Sequence, residues 1–423
     1  MKLLRSFIFL ASLLILLTSA RASSAEATGF IHVKQIDGVW WFINPEGERF
    51  VSLGVNHIEP HLWPAPYNFK ATLKRYGRDM ITIDGRFNTK GEAAKKWIDR
   101  QVEVTQSLHF NTFGPHTHGS IDPALYKDQI YYVARLDTAP LAGWRERNGE
   151  GPRPDVFSHD FRHFIKKRVK DVCAQHKDSP NLLGYLYTDV PSWITGKAVQ
   201  KASGNDVMIY PWVNAIIRLG EGSAGKQRWL ELLKERYPSA LDAAKVWGIT
   251  VSPTYGISWE TMARRLDWTQ PTDRKKADAD MVAFLHLIAD KWYRIHREVI
   301  LKEDPNHLLL GDKNMSMWHY DWVLAAAKKH IDVIAIQSYG FWPDDVKLTD
   351  KIYKATGKPI FNGDGCFGFA QPQQKEWGVK GFRTAATSSN GMPPNAVTPH
   401  ETKTASSTLL KKNSPPGPTS SAR

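Results

Sequence analysis

Short apolar runs and amphipathic stretches take turns along this chain. Residues 30–34 and 39–44 alternate in polarity, and the turn-forming segment Pro45 to Glu48 separates them from a third run, residues 50–56. Alternation bounded by turn residues predicts a β-hairpin leading into a strand. Further apolar runs follow at residues 110–114, 131–136, 182–187, 307–311, 332–337 and 358–362. Between them, apolar residues recur at helical spacing over 90–108, 160–176, 225–245 and 276–303. Counted from Phe50, this makes seven short buried strands separated by helices. Strands that are apolar throughout pair in parallel and need long crossovers, so the series predicts an α/β fold: a (β/α)8 TIM-type barrel, incomplete at its eighth strand, behind an N-terminal β-hairpin. The competing architecture is an open doubly wound sheet, which would gather its polar residues at one switch point.

Both ends depart from this pattern. Lys2 and Arg5 precede an apolar run over residues 6–17 and a small-x-small site at Ala20 to Ala22, which reads as a secretory signal peptide over residues 1–22. About a dozen apolar residues fall short of the roughly 30 Å of hydrocarbon a membrane helix must cross. The expectation is a secreted or periplasmic protein with no membrane contact once the leader is removed; an uncleaved anchor is the alternative. From Thr384 the chain turns to Ser, Thr, Pro, Asn and Lys, too little apolar surface to offset its ordering entropy, so residues 384–423 are expected to be disordered. A linker to another module or a shifted reading frame would leave the same signature. Residues 29–383 then form the barrel unit, with 195–275 as a helical insertion walling one side of a cleft.

Composition narrows the class. With 423 residues, 42% hydrophobic and 23% charged, most of the chain is globular. The formal charge of +13 falls to about +7 when the leader and tail are set aside, and no basic block carries interleaved aromatics. Nucleic acid is therefore not an expected partner, whereas a polyanionic glycan is compatible with the charge. Cys173 and Cys366 permit at most one disulfide, and their places at opposite ends of a barrel predict two free thiols.

In a parallel barrel the chemistry sits just beyond the carboxyl ends of the strands. Those positions are polar in this chain: Asn56 and His57, His116 and His118, Asp137, Asp189, Asp312 to Asn314, Gln337 and Tyr339, and Asp364. Trp63, Trp193, Trp318 and Trp342 fall in the loops that follow. Aromatic faces among hydrogen-bonding side chains suit a sugar ring, whose C–H faces stack while its hydroxyls need donors and acceptors. A polysaccharide or oligosaccharide substrate is thus expected, contacted by Asn56, His57, Asn111, His116, His118, Trp193, Asp312, Asn314, Gln337, Tyr339 and Trp342. The plainer reading is that 16 tryptophans mostly pack a core.

Gly38-Val-Trp-Trp-Phe-Ile-Asn-Pro-Glu-Gly-Glu-Arg-Phe-Val-Ser-Leu-Gly-Val-Asn56 resembles the opening of agarase-type glycoside hydrolases, clan A enzymes of the family 50 and family 42 kind. Arg228-Trp-Leu-Glu-Leu-Leu-Lys-Glu-Arg-Tyr237, continuing to Trp247 and Trp259, is similar to the helical insertion after their fourth strand. With residues 308–312 and 332–339 the likeness spans about 37–383. It implies a retaining glycosidase without a cofactor, a glutamate acid/base after the fourth strand and a glutamate nucleophile after the seventh, with an agar-type galactan as substrate. The corresponding motifs read Thr188-Asp-Val-Pro191 and Lys358-Pro-Ile-Phe-Asn-Gly-Asp364. Val190 aligns with the acid/base, and Asp189 and Asp364 are the carboxylates present, so these two are the catalytic candidates. Their shorter side chains would leave room for a water and favour inversion. A pseudo-glycosidase that binds glycan without cleaving it is the alternative, with Asp189 and Asp364 serving their turns.

The pair His116 and His118 also fits a metal-dependent barrel hydrolase, with His57, Asp189 or Asp364 completing a zinc shell. The pair follows the second strand rather than the first, so the expectation remains that no metal is bound and that these histidines meet sugar hydroxyls or a carboxylate.

Overall fold

The computed structural model describes residues 25–59, 66–82, 87–138, 153–189, 193, 210–268, 270–315, 320–338 and 342–365. The expected leader and the tail from 384 lie outside the described residues.

The N-terminal run forms a three-stranded antiparallel sheet, β1 (His32–Ile36), β2 (Val39–Ile43) and β3 (Arg49–Phe50), where a two-stranded hairpin is expected. The difference arises because the run 50–56 divides. Its first residue pairs back on β2, while β4 (Gly54–Val55) opens a second sheet.

That second sheet has seven strands, all parallel, in sequential order. After β4 come β5 (Thr112–Phe113), β6 (Tyr131–Arg135), β7 (Leu182–Asp189), β8 (Leu308–Met315), β9 (Ile334–Gln337) and β10 (Ile360–Asp364). Strictly sequential parallel pairing with helical crossovers is barrel topology, not the reversing order of a doubly wound sheet. The sheet curls far enough that its two edges touch. The Asn56 side-chain amide, just past β4, donates to the Gly363 carbonyl of β10 at 2.8 Å.

Helix boundaries follow the sequence closely. Residues 91–107, 159–176 and 274–303 are helical, each within a few residues of its predicted span. The expected helix over 225–245 is broken into Ala224–Arg236 and Ala240–Val246. Pro238 cannot continue the first helix, and the Ser239 hydroxyl accepts from the Asp242 amide to cap the second.

Two apolar layers hold the unit together. One lies between the parallel sheet and its helices. The other fills the barrel: Val133, Leu183, Leu186, Leu308, Leu310, Val333, Ala335 and Phe361 pack with Ile31, Val33, Phe42 and Phe50 of the N-terminal sheet. The three-stranded sheet is therefore a floor closing the amino-terminal end of the barrel. Fully burying side chains of this size contributes about 1.5–3 kcal/mol each.

Candidate active site

Above the apolar filling the barrel turns polar. Arg135, Asp189, Lys313, Gln337 and Asp364 come from successive strands, and Asn56 and His116 from the residues just past β4 and β5. Lys313 is the hub, with a side chain only 1% exposed. Its Nζ lies 3.0 Å from Asp189 Oδ1 and 2.9 Å from Asp364 Oδ2. Oxygens held that close to one nitrogen are within about 6 Å of each other. The fourth and seventh strands thus present two carboxylates in ion contact with one ammonium.

Asp364 is also held from other sides. His116 Nε2 lies 3.2 Å from its Oδ2, and the Asn56 amide donates to its Oδ1 at 3.3 Å. The Asn56 carbonyl oxygen in turn accepts the His116 backbone N–H at 3.2 Å. This bracket needs a glycine beside it: a Cβ on Gly114 would sit 2.2 Å from Asn56 Oδ1. Lys313 and Arg135 both reach the His116 ring, the latter at 3.4 Å from Nδ1, and Arg135 is anchored by Asp137 at 3.0 Å. His57, at a left-handed φ of 61°, stacks on His116 with ring centres 4.9 Å apart and planes within 7°. A non-glycine residue held in that region stores strain, a feature that clusters at functional sites.

The nearest oxygens of the two carboxylates are thus no more than about 6 Å apart, with the Lys313 ammonium in contact with both. The space between them, where inversion would need a water, is occupied by the lysine.

Lys313 and Arg135 are the residues strand alternation did not single out. Leu308 and Leu310 point into the barrel, so simple alternation puts Asp312 and Asn314 inside with them. Gly311 prevents this. Its φ is +70°, a Cβ there would meet Ile331 at 2.9 Å, and the pairing with β7 shifts register on either side of it. The bulge reverses the parity, and Lys313 faces the site while Asp312 and Asn314 turn toward the helices. A second register shift, between Asn362 and Asp364, does the same for β10, so Phe361 lies in the apolar filling and Asp364 in the polar layer.

Several other expected positions are corrected. Asp312 is buried behind the site, where it accepts from the Trp292 indole at 3.0 Å, and burial pushes its carboxyl up to about 7. Asn314 lies beside Tyr293 on the same outer side. Asn111 stands at the amino-terminal end of β5. Its side chain accepts from the Leu53 amide at 2.8 Å and donates to the Val51 carbonyl at 2.9 Å, fastening the starts of two strands. Trp193 is fully buried, stacked on Trp212 at 4.6 Å, with no face left for a sugar. Trp212, Trp229, Trp247, Trp268 and Trp292 are likewise core residues. His118 hydrogen-bonds Ser120 at 2.6 Å. Gln337 faces the polar layer, and its Oε1 has no hydrogen-bond partner among the described residues. Tyr339, Trp63, Trp318, Cys366, Val190 and the side chain of Trp342 lie outside the described residues.

Among the described residues, no three His, Cys, Asp or Glu side chains gather as a metal ligand set. His116 meets Asp364 and Lys313, His118 pairs with Ser120, and the site's centre is held by an ammonium. Cys173 is a buried free thiol whose pKa burial pushes up to about 12. No described helix is long and apolar enough to cross a membrane.

No family model matches the chain. It is similar to β-agarase B of Vibrio sp. (strain JT0107), 23% identical over 404 residues, covering 81% of this chain and 40% of that protein. β-Agarase A of the same strain is 22% identical, covering 81% of this chain and 37% of that protein. The chain spans about two fifths of the length of these curated relatives. Among solved structures, an agarase, AgWH50C, superposes with a TM-score of 0.63 at 20% identity, over 82% of this chain and 54% of that one. An exo-β-agarase gives a TM-score of 0.62 at 20% identity over the same shares. The resemblance to agarase-type glycoside hydrolases therefore holds in both sequence and fold.

Proposed function

We propose that the chain is a glycoside hydrolase, exported from the cell, acting on a polymeric galactan of the agar type. The observation that carries this reading is the meeting of Asp189 and Asp364 within about 6 Å at the carboxyl ends of the fourth and seventh barrel strands. The similarity to β-agarases supports the substrate class. In the mechanism we infer, Asp364 is the nucleophile. The Asn56 amide, fixed by the Gly363 carbonyl, holds its carboxylate in one orientation for attack on an anomeric carbon. Lys313 swings out of the gap as the sugar enters; Asp364 bonds the anomeric carbon as the glycosidic C–O bond breaks and Asp189 passes a proton to the departing oxygen, and a water that gives its proton back to Asp189 then releases the sugar from Asp364. Gln337, with an open acceptor, and His57, with its exposed edge, meet substrate hydroxyls.

A binding protein of the same cleft is the second reading, favoured by one observation: Lys313 fills the place where the reacting carbon would stand. Hydrolysis of neutral and sulfated galactans, measured beside binding, separates the two. Turnover that Asp364→Asn abolishes supports the enzyme. Binding with no turnover on any member of the panel refutes it in favour of the second reading.

A further inference from the structure

A groove of about 460 Å³ runs along the outer wall of the barrel, between the helix His159–His176 and the last turns of the helix Arg274–Glu303. It shares no residue with the site described above. Its lining is dominated by cations: Arg162, Lys166, Lys167 and Lys170 from the first helix, Lys302 from the second, and His163 beside them. Two glutamates also line it. Glu298 is taken up by Arg162 at 2.8 Å, which leaves Glu303 to face the rest. Lys166, Lys167, Lys170 and Lys302 are exposed and form no ion pair among the described residues.

Folding gives no reason for this arrangement. Arg162, Lys166 and Lys170 repeat every four residues, so like charges stack on one face of the helix, with Lys167 beside them. Each such pair costs a helix about 0.2–0.5 kcal/mol. Arg162 and His163 also lie near the helix amino terminus, where the dipole disfavours positive charge. The crowding extends across the wall: Lys291 has its pKa lowered, first by burial and then by Arg294 and Arg162. The row advances about 6 Å per four residues, from the rise of about 1.5 Å per residue. That matches a flexible, linear polyanion whose charges repeat every one or two monomers.

We propose that this groove is a second glycan site, which holds a sulfated polysaccharide strand against the barrel wall, away from the barrel mouth. It stands on its own observations and goes beyond the reading of the active site. Its basis is charge complementarity along a groove, and the absence of aromatic platforms in the lining sets it apart from a site for single-stranded nucleic acid, where bases stack.

The test uses the full chain and its variant Lys166→Ser/Lys167→Ser/Lys170→Ser, all exposed positions. Binding is measured by titration calorimetry against a sulfated galactan oligosaccharide, its desulfated counterpart, a DNA oligonucleotide and phosphatidylserine vesicles, at 50 and 200 mM salt. The expected result is a salt-dependent binding component that the sulfated chain shows and its desulfated counterpart lacks, weakened about tenfold or more in the triple variant, with a log–log salt slope shallower by about two, while any salt-insensitive binding common to both oligosaccharides is unchanged. Thermal unfolding of the variant should match or exceed the parent, since three repulsive charges are gone. Equal affinity of variant and parent overturns the proposal, as does a parent that binds no sulfated chain. Tighter binding of DNA or of vesicles overturns it in favour of that partner. The readout is binding rather than turnover, so an active-site reading that fails leaves this result standing, and the reverse.

Discussion

Lys313 carries opposite consequences for stability and for chemistry. Its ammonium and the two carboxylates it touches are all nearly buried, so each depends on the others for the solvation that water no longer supplies. Removing one partner of such a buried set costs about 3–5 kcal/mol, because it strands the charges that remain. We expect Lys313→Met to lower the unfolding free energy by that order in urea titrations. Adding Asp189→Asn to it should recover a good part of the loss; a purely additive double variant would mean that the three groups do not form one network. Chemistry is read from single carboxamide variants. Asp189→Asn and Asp364→Asn keep the shapes of the side chains and remove their charge, and each should cut turnover about 10²–10⁴-fold while oligosaccharide binding persists. A variant that keeps more than a tenth of parental turnover shows that its aspartate takes no part in the reaction. The two aspartates were legible in the sequence because they stand at the ends of recognisable strands. The lysine lay in the polar run Asp312 to Asn314 but was passed over for its two neighbours, because the sequence does not show which of the three faces the barrel.

Parity was lost at the level of the element. A strand alternates only while its pairing is regular, and a bulge at a barrel rim re-aims every residue after it. In β8 the bulge is marked by Gly311 in the left-handed region, a mark that a sequence shows only as one more glycine. Gly311→Ala would combine an unfavourable φ with a contact to Ile331, a cost of about 1–3 kcal/mol. The strand's outer face is informative in its own right. Asp312 has a folded pKa of about 7, above the ordinary carboxyl value, because burial between β8 and the helix Arg274–Glu303 disfavours its charge. A carboxyl whose pKa rises on folding favours the fold while it is protonated. That contribution is whole below about pH 4 and is lost progressively as pH rises to about 7. Asp312→Asn keeps an acceptor for the Trp292 indole and has nothing to titrate. The stability difference between variant and parent should therefore grow in the variant's favour from about pH 4 to pH 7 and then level off, by an amount on the order of a few kcal/mol. A difference that stays flat over this range would show that Asp312 does not titrate there. The helices, by contrast, were legible almost to the residue, since their periodicity rests on packing against one apolar layer. Of the four spans expected, the one that differs is 225–245, where apolar spacing was weighed over the helix breaker Pro238; shorter helices such as Pro211–Ile217 and Asp321–Ala327 were not read.

At the scale of the molecule, the question is how the two edges of the seven described strands are brought together. β4 is two residues long and pairs only with β5, and β10 pairs only with β9, so among the described residues no backbone ladder joins the two edges. What joins them is one side chain. Asn56 donates to the Gly363 carbonyl and to Asp364 from one end of its amide, and accepts from the His116 backbone with the other. These contacts tie the first strand to the last across the mouth of the barrel, while Phe361 and Phe42 tie the floor below. Asn56→Ala leaves the floor intact and opens the clasp. Three hydrogen bonds, two of them to neutral backbone groups and one to a carboxylate, amount to about 2–4 kcal/mol. The loss should be local. β10 lies at an edge and has one ladder, so its amides should exchange with deuterium markedly faster in the variant, whereas those of β6 and β7, each paired on both sides, keep parental protection. Because the same clasp orients Asp364, turnover should fall together with β10 protection. Uniform acceleration across all seven strands would mean that Asn56 supports the whole core instead of its seam. Unchanged exchange at β10 would mean that the curl of the sheet is set by the floor alone.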